Sequence, residues 1–313
     1  MLSLFSARRH NKDEKLVRRR KSSARPARNL GRPFAFAMVF VLAFALVYTF
    51  HLSHDAYLTP GDNEIIVAFL DVGQGDSILI WSRDNAVLID GGDVGRQDVI
   101  LGYMRRAGIR RLDYVIATHP HRDHIGGLVA VLGRVEVGAV IMPDVVHTTE
   151  TFVNLLAVIE NNDLPLVVVV EPGQWFRAGI IELEVLWPTG GQRNLNDASI
   201  VARLVHGETA FLFTGDLEAA GERGLIASGL DLQADVLKVG HHGSRTSSTD
   251  AFLDAVAPVA AVIQVGERNQ FGHPHGEVLG RLAERGIAVY RTDVNGAVIM
   301  ASDGVRVVVV GGG

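Results

Sequence analysis

The chain has 313 residues, 48% of them hydrophobic, so it can bury a sizeable core in one large domain or two small ones. It contains no cysteine, which excludes disulfide bonds, thiol nucleophiles and cysteine-ligated metal sites. Residues 1–33 carry eleven Lys/Arg against two acidic residues, a net of +9, whereas residues 34–313 carry nineteen against thirty-three, a net of −14. A basic head therefore precedes an acidic body.

An uncharged stretch of eighteen residues, PFAFAMVFVLAFALVYTF, separates Arg32 from His51. A helix of this length spans about 27 Å, close to the thickness of a bilayer core. We predict an uncleaved transmembrane anchor at 34–50 rather than a cleaved signal peptide, because the run is long and no A-x-A site follows it. The basic segment 1–33 is expected to stay in the cytoplasm. The predicted location is therefore the cytoplasmic membrane, single-pass, with the catalytic domain on the extracytoplasmic side.

After a short linker at 51–63, the body at 64–310 alternates apolar runs with segments of helical spacing, which predicts a layered α/β domain. Strands are predicted at 65–72, 76–81, 85–90, 112–118, 138–143, 164–170, 180–188, 198–206, 209–216, 234–240 and 259–266. Helices are predicted at 97–108, 125–135, 149–162, 217–229, 249–257 and 276–286. The runs at 198–206 and 209–216 are expected to pair as a hairpin, and Asn295-Gly296 and Asp303-Gly304 are two further hairpin signals.

Seven of the twelve histidines fall into three short clusters, namely His119/His121/His124, His241/His242 and His273/His275. The first two clusters and Asp216 each follow an apolar strand, and side chains at the carboxyl ends of neighbouring strands converge in one crevice. Imidazole nitrogens and carboxylates suit zinc, iron or manganese. The spacing of His119-x-His121-x-Asp123-His124 suits two ions about 3.5–4 Å apart.

The chain resembles the metallo-β-lactamase superfamily, whose His-x-His-x-Asp-His signature matches residues 119–124. More closely, it resembles the metallo-hydrolase domain at the end of ComEC/Rec2 competence proteins. The matching stretches, in family order across residues 65–300, are FLDVGQGDSILI, LIDGG, THPHRDHIGG, NDASIV, FLFTGD, LKVGHHGS, FGHPH and RTDVNGAV. The resemblance implies an α/β fold, the four-layer αβ/βα sandwich, with a two-metal site at its rim.

The resemblance also implies ligand roles for two divalent ions, Zn or Mn. His119 and His121 would hold one ion, and Asp123 and His124 the other. Asp216 would bridge the ions. Two choices remain for the residue that completes the second site, His241 and His242. Asp90 would hold the metal loop in place by hydrogen bonding.

The chain departs from the superfamily between the signature and the bridging acid, where another histidine is usual. It offers His147 and His206 there, and neither follows a strand in the expected way. The ComEC-like branch shows NDAS in that region, so Asn196, Asp197 and Ser199 are expected to support the ligands. One of the two ions is therefore expected to be held more openly.

Four residues form the predicted catalytic set. Asp123 and Asp216 belong to it as metal ligands. Lys238, just before the HHG turn, could meet an anionic oxygen, although a strand-end lysine is more often solvated. His273 of the FGHPH stretch could touch substrate, and a packed loop is the equally weighted alternative. Asp76, in the glycine-rich turn, is a weaker candidate for contact with phosphate.

The predicted activity is that of a metal-dependent hydrolase, in which a metal-bound hydroxide attacks phosphorus or a carbonyl carbon. The preferred hypothesis is a phosphodiesterase that acts as a nuclease on single-stranded DNA, because the resemblance to ComEC-type domains implies DNA degradation. With one predicted span the chain could not import DNA alone, so a separate transport or competence protein is an expected partner. The net charge of the body opposes generic binding of polyanions.

Two alternatives to a nuclease stay open. One is hydrolysis of another anionic envelope ester, such as a phosphocholine-type phosphodiester, or of a lactone or β-lactam. The other is a non-catalytic, membrane-anchored binding module. The intact metal-binding signature disfavours the second alternative.

Overall fold

The structure, a computed structural model, describes residues 58–188, 191–192 and 194–311. The predicted single-pass membrane location is corrected, because no helix within these ranges is both long and apolar enough to cross a bilayer. The predicted basic segment at 1–33 and the predicted anchor at 34–50 themselves lie outside the described residues.

The described chain forms fifteen strands. In chain order they are β1 Ile65–Phe69, β2 Ile78–Trp81, β3 Ala86–Ile89, β4 Arg111–Ile116, β5 Glu136–Pro143, β6 Leu166–Val169, β7 Trp175–Ala178, β8 Ile181–Trp187, β9 Val201–His206, β10 Thr209–Phe213, β11 Val236–Lys238, β12 Ala260–Ile263, β13 Ala288–Arg291, β14 Val298–Ser302 and β15 Val307–Gly311. Strand β7 was not predicted from the sequence.

Eight α-helices accompany the strands in the same described ranges. They are α1 Gln97–Arg106, α2 Arg122–Ile125, α3 Leu128–Leu132, α4 Glu150–Asn161, α5 Ala219–Ala227, α6 Asp250–Val256, α7 Gly276–Glu284 and α8 Thr292–Asn295. A turn of 3₁₀-helix covers Gly240–Gly243.

The strands form two sheets, as the α/β prediction requires. The first has eight strands in the order β15-β14-β1-β2-β3-β4-β5-β6, and the second has seven in the order β13-β12-β11-β10-β9-β8-β7. Their facing surfaces make one apolar core, in which Phe69 of β1 lies 6.2 Å from Phe213 of β10 between ring centroids. Each such buried ring contributes about 1.5–3 kcal/mol through loss of contact with water.

Helices cover the outer face of each sheet. Ile100 of α1, Leu128 of α3 and Leu155 of α4 pack in a core against the first sheet. Leu225 of α5 and Phe252 of α6 pack in another against the second sheet. The result is a helix–sheet–sheet–helix arrangement with three apolar interfaces.

Two of the three predicted hairpins are confirmed. Strands β9 and β10 are antiparallel neighbours, and β14 pairs with β15 across Asp303-Gly304. The hairpin prediction at Asn295-Gly296 is wrong, because β13 pairs with β12 in the second sheet whereas β14 pairs with β1 in the first. Gly296, with φ 61°, ends α8, and the chain there crosses between the sheets.

Parallel pairing brings four strand ends to one rim of the sandwich. In the first sheet β3 is parallel to β4, and in the second sheet β10 is parallel to β11. Asp90 follows β3, His119 follows β4, Asp216 follows β10 and His241 follows β11. The Ile200 N–H donates to the Thr118 carbonyl at 2.9 Å and ties the two layers together at this rim.

Candidate metal centre

The loop after β4 turns sharply because His121 has extended backbone angles and caps the short helix α2. The glycine-rich turn between β1 and β2 packs directly under this loop, where Asp76 N–H donates to the Asp123 carbonyl at 3.2 Å. A Cβ at Gly75 would lie 2.1 Å from that carbonyl oxygen, and the φ of Gly75 is +125°. Only glycine fits this close approach without strain.

The first group of ligand atoms consists of His119, His121 and Asp216, called here the His119 half-site. His119 Nε2 lies 3.0 Å from His121 Nδ1 and 3.7 Å from Asp216 Oδ2. His119 is buried and its Nδ1 contacts Thr118 Oγ1 at 3.1 Å. His121 is only half-buried, so this half-site faces the solvent on one side.

The second group consists of Asp76, His124, Asp216 and His242, called here the His124 half-site. His124 Nε2 lies 3.3 Å from Asp216 Oδ1, and His242 Nε2 lies 3.5 Å from the same oxygen. All four residues are buried. Asp216 therefore presents one carboxylate oxygen to each half-site.

Hydrogen bonds hold both histidines of the His124 half-site in one orientation. His124 Nδ1 contacts Asp90 Oδ2 at 2.8 Å, and His242 Nδ1 contacts the Gln264 carbonyl at 3.0 Å. Asp90 is itself held by the Thr118 N–H at 2.8 Å and the Thr118 hydroxyl at 2.7 Å. With Nδ1 occupied, each ring turns Nε2 towards Asp216, the geometry that orients histidine ligands of metal ions.

The two half-sites differ in protonation. Burial, together with the neighbouring His124, holds the pKa of His119 well below its ordinary value. Burial also opposes a charge on His242, but the carboxylates of Asp216 and Asp76 outweigh it and raise the pKa of His242 to about 9. By the same balance, Asp216 and Asp90 raise the pKa of His124 well above its usual range.

The pKa values of the Asp216 and Asp123 carboxylates shift in the opposite direction, downwards. Burial would raise the pKa of Asp216, but His124 and His242 hold it well below its ordinary value. Burial also opposes ionisation of Asp123, yet its contact with His242 and the charge of His124 keep its pKa far below the usual range. Both carboxyl groups are therefore charged at neutral pH.

A test of whether a cation fits comes from buried polar atoms that have no hydrogen-bond partner. Four such atoms belong to the His124 half-site: His124 Nε2, Asp216 Oδ1 and His242 Nε2, together with Asp76 Oδ1, which lies 3.2 Å from His242 Nδ1. A buried polar atom without a partner costs about 1–3 kcal/mol. Two imidazole nitrogens and two carboxylate oxygens are a donor set that suits zinc or manganese. The residues present therefore fit a divalent cation.

The remaining predicted ligands border these half-sites. Asp123 Oδ2 lies 3.3 Å from His242 Nε2, so Asp123 lines the His124 half-site from the more open side. His241 Nε2 lies 3.8 Å from Asp216 Oδ2, the oxygen that also faces His119. Of the two candidates in the HHG turn, His242 thus lies at the His124 half-site and His241 beside the His119 half-site. Both have left-handed backbone angles, which residues other than glycine seldom adopt.

Lys238 ends β11 just before the HHG turn, as predicted from the sequence. It is fully buried, its Nζ forms an ion pair with Asp76 Oδ2, and the same Nζ donates to the Gly215 carbonyl at 3.1 Å. Its ammonium group balances the charge of a buried carboxylate. The catalytic role of Lys238 stays a prediction, and the structure shows the side chain fully buried.

The supporting residues divide into two kinds. Ser199 contacts His119 Nδ1 at 3.3 Å and accepts the Asp216 N–H at 3.0 Å, so it braces two ligands. Asn196 reaches Glu218 Oε1 at 3.4 Å, and that oxygen lies 3.2 Å from His241 Nδ1. Asp197 touches no ligand, since its Oδ1 accepts the Glu218 and Gly221 N–H groups near the start of α5.

His147 and His206, the two histidines between the signature and Asp216, lie in different parts of the structure. His206 is buried against Ser302, with 2.8 Å between Nδ1 and Oγ, away from the candidate metal centre. The His147 ring lies 6.4 Å from that of His121 between centroids, on the open side of the His119 half-site.

His273 lies beside the candidate metal centre. This position is compatible with the predicted contact to substrate. Its ring centroid is 5.5 Å from that of His241 and 6.3 Å from that of His242. Burial and these two neighbours lower the pKa of His273 to about 4, so it is neutral at pH 7. A Cβ at Gly243 would lie 2.6 Å from Pro274 Cβ, so the HHG turn and the FGHPH loop are closely packed.

Two residues of the site escaped the sequence analysis. Asp76 was considered only for phosphate contact, although it supplies a buried carboxylate to the His124 half-site. Gln264 orients His242 and donates to the Leu70 and Ser77 carbonyls at 3.0 and 2.8 Å. Asp76 carried a signal in the sequence, a lone acid after two glycines, whereas Gln264 carried none.

Comparison with known proteins agrees with this geometry. Residues 70–267 match the family model of the metallo-beta-lactamase superfamily, and the chain belongs to that superfamily. Within it, the chain is similar to competence protein ComA of Neisseria gonorrhoeae, with 35% identity over 75% of this chain and 32% of ComA. It is also similar to ComE operon protein 3 of Bacillus subtilis (strain 168), with 30% identity over 74% of this chain and 32% of that protein.

The chain spans about a third of the length of these curated relatives. Among solved structures, the diiron β-hydroxylase CmlA of Streptomyces venezuelae has the same fold, with a TM-score of 0.51 and 15% identity. The match covers 80% of this chain and 55% of CmlA. The chain is thus a homologue of competence proteins in a superfamily of metal-dependent hydrolases.

Proposed function

We propose that the protein is a metal-dependent phosphodiesterase that cleaves nucleic acid. The observation that carries the proposal is the set of buried, unpartnered donor atoms around Asp216, at a rim to which the substrate has access through His121 and Asp123. The similarity to competence proteins over about three quarters of the chain favours DNA among phosphodiesters.

Two ions, Zn or Mn, would be held in this arrangement. His119 and His121 would bind the first ion, with His241 in the place of the histidine that the superfamily usually has. His124 and His242 would bind the second, with Asp123 on its open side, and Asp216 would bridge the two. Divalent ions held in this way lower the pKa of a bound water and stabilise charge that develops on ester oxygens.

The protein's own groups have distinct parts in this proposal. Asp123 stays ionised because its pKa is far below the usual range, so it serves as a ligand and hydrogen-bond acceptor and not as a proton acceptor. His273 is neutral at pH 7, so it can donate a hydrogen bond to a phosphate oxygen or to a leaving group without adding charge. Asp90 and Gln264 keep His124 and His242 pointing at the bridging carboxylate.

The proposal is tested with the purified chain, end-labelled single-stranded DNA and added Mn²⁺ or Zn²⁺. We expect cleavage by the parent and by Asp84→Ala, a control at an exposed acid in the turn between β2 and β3. Asp123→Ala should lose activity by about a hundredfold or more because it removes an ionised group at the His124 half-site. Metal content and circular dichroism of each variant show whether the fold and the ions are retained.

Absence of DNA cleavage by a parent that holds metal would contradict the nuclease proposal. Hydrolysis of a small phosphodiester or a lactone by that same preparation would then favour another ester as substrate. Absence of every hydrolytic activity would favour a binding module.

A further inference from the structure

Phe271 is an exposed aromatic ring next to the candidate metal centre. It exposes 53% of its surface, whereas every other phenylalanine in the described ranges is buried. Trp175, the exposed tryptophan, is covered by the guanidinium of Arg177 at 4.8 Å. Phe271 instead stacks on His273, with 5.6 Å between ring centroids and 24° between ring planes. A single exposed apolar side chain is common on protein surfaces, so the informative observation is the position of Phe271 beside the candidate metal centre.

The loop that carries Phe271 is tightly braced. The Asn269 side-chain amide donates to the Gly266 carbonyl at 3.0 Å and to the His273 carbonyl at 2.7 Å. Its oxygen accepts the Phe271 and His273 N–H groups at 3.2 and 2.9 Å. One side chain thus closes the loop with four hydrogen bonds. The backbone that carries Phe271 is thus held in one conformation, which lowers the entropy lost when a ligand binds.

A chain of ring contacts links Phe271 to the ligands. Phe271 stacks on His273, and His273 packs edge-on against His241 with 5.5 Å between centroids. His241 in turn lies 3.8 Å from Asp216 Oδ2. These contacts place Phe271 on the His241 side of the candidate metal centre, next to the position that a bound phosphodiester would occupy.

A cleft of about 470 Å³ opens from the same loop, between Gln74 of the glycine-rich turn and Arg268. Arg96 lies across it, with its guanidinium against Gly73. Neither Arg96 nor Arg268 has an ion-pair partner among the described residues. Unpaired guanidinium groups suit phosphate, which they bind in a bidentate manner.

Three carboxylates also line this cleft. Asp293 forms an ion pair with Arg291, and Asp71 accepts the Gly73 N–H at 3.1 Å. Glu267 is exposed and has no such partner in the described chain. With Asp293 paired to Arg291, the lining carries Arg96 and Arg268 against Asp71 and Glu267, so its charge is balanced, and the two guanidinium groups are its points of contact for phosphate.

We propose that Phe271 is a stacking platform for an unpaired base next to the scissile phosphate, with Arg96 and Arg268 along the path of the neighbouring backbone. Aromatic platforms combined with basic grooves are how proteins bind single strands without reading sequence. A base inside a duplex already has both faces stacked, so the platform selects single-stranded nucleic acid. The inference rests on the proposed nuclease function and names the form of its substrate.

The experiment compares two single strands of equal length in Mn²⁺, one of thymidine and one in which every base is replaced by an abasic tetrahydrofuran unit. The parent should prefer the thymidine strand by about ten- to a hundredfold in kcat/KM, since stacking contributes about 1–3 kcal/mol per base. Phe271→Ala should reduce that preference to within about twofold, and Phe271→Trp should restore it. Val305→Ala, which removes another exposed hydrophobic side chain, should keep the parental preference.

The outcomes separate the two proposals. A parent that cleaves both strands at equal rates, or a Phe271→Ala variant that keeps the full preference, would overturn the stacking platform and leave the nuclease intact. A metal-loaded parent that cleaves neither strand would overturn the nuclease and the platform with it. Loss of the preference in Phe271→Ala together with its recovery in Phe271→Trp supports the platform.

Discussion

The two half-sites share Asp216 but differ in every other respect. The His119 half-site has histidines whose pKa values lie below the ordinary value, and one of them, His121, is half-exposed. The His124 half-site is buried, and its histidines carry protons in the absence of metal because four carboxylates surround them. The first is ready to bind but open, whereas the second is enclosed but must first release protons. Two half-sites with similar ligands can therefore differ in how openly they hold an ion and in whether binding releases protons.

Removal of the shared carboxylate should have the largest effect, because it disables both half-sites. We expect Asp216→Ala to hold less than half the metal of the parent and to lose hydrolytic activity by about a thousandfold. Measurement of metal per chain after dialysis, alongside initial rates, tests this. Asp84→Ala is the matched control, and retention of both ions by Asp216→Ala would contradict the shared role.

A second comparison separates the half-sites by one histidine from each. His242→Ala should weaken the tighter of two binding events by about a hundredfold, whereas His121→Ala should weaken the other and leave the tighter one in place. The physical reason is that His242 belongs to a fully enclosed donor set and His121 to an open one. Equilibrium dialysis with Mn²⁺ and Zn²⁺ resolves the two events. If both variants lose the same event, the half-sites are not separate.

The hydrogen bond between Asp90 and His124 should matter mainly to the His124 half-site. Asp90→Asn weakens the hold on His124 Nδ1 and should lower metal affinity there by about ten- to a hundredfold, as partners of ligands generally do. The His119 half-site should be less affected, since Asp90 contacts none of its three ligands directly. Metal titration of this variant beside Asp84→Asn measures the difference, and an equal loss at both half-sites would count against it.

A decrease in pH should lower the metal affinity of the His124 half-site more than that of the His119 half-site. The pKa of His242 is raised to about 9 without metal, so protons compete with an ion at the His124 half-site whenever the pH is below that value. Affinity there should fall by about ten- to a hundredfold per pH unit as the pH decreases from 9 towards 7, since one to two protons are displaced. The pKa of His119 lies well below its ordinary value, so affinity at its half-site should be nearly constant over that interval. Titrations at three pH values measure both trends.

Much of the site could be predicted because its residues lie next to each other in sequence or directly after strands. His119, His121, Asp123 and His124 occupy one loop, and Asp216 ends a parallel strand, so a sheet brings them together by rule. The place of Asp76 in the site could not be predicted in this way, because it depends on how the β1–β2 turn packs beneath the loop after β4. That contact is a property of long-range packing and has no local pattern.

Other contacts could not be predicted from the sequence for related reasons. Lys238 ends a strand, and the sequence could not show that its side chain turns inward to meet a buried carboxylate. The left-handed backbone at His241 and His242 decides which half-site each faces, and such angles are unusual for residues other than glycine. Asn295-Gly296 has the composition of a hairpin turn, but the partners of β13 and β14 lie in different sheets.

The central claim is that two half-sites of different character share the Asp216 carboxylate. Measurement of the protons released on metal binding tests this claim most directly. Calorimetric titration of the metal-free chain with Mn²⁺ at pH 7.5, in buffers of different ionisation enthalpy, counts the protons released in each binding event. The account predicts two events, one that releases about one to two protons from the His124 half-site and one that releases almost none. A single event, or two events with equal proton release, would contradict it.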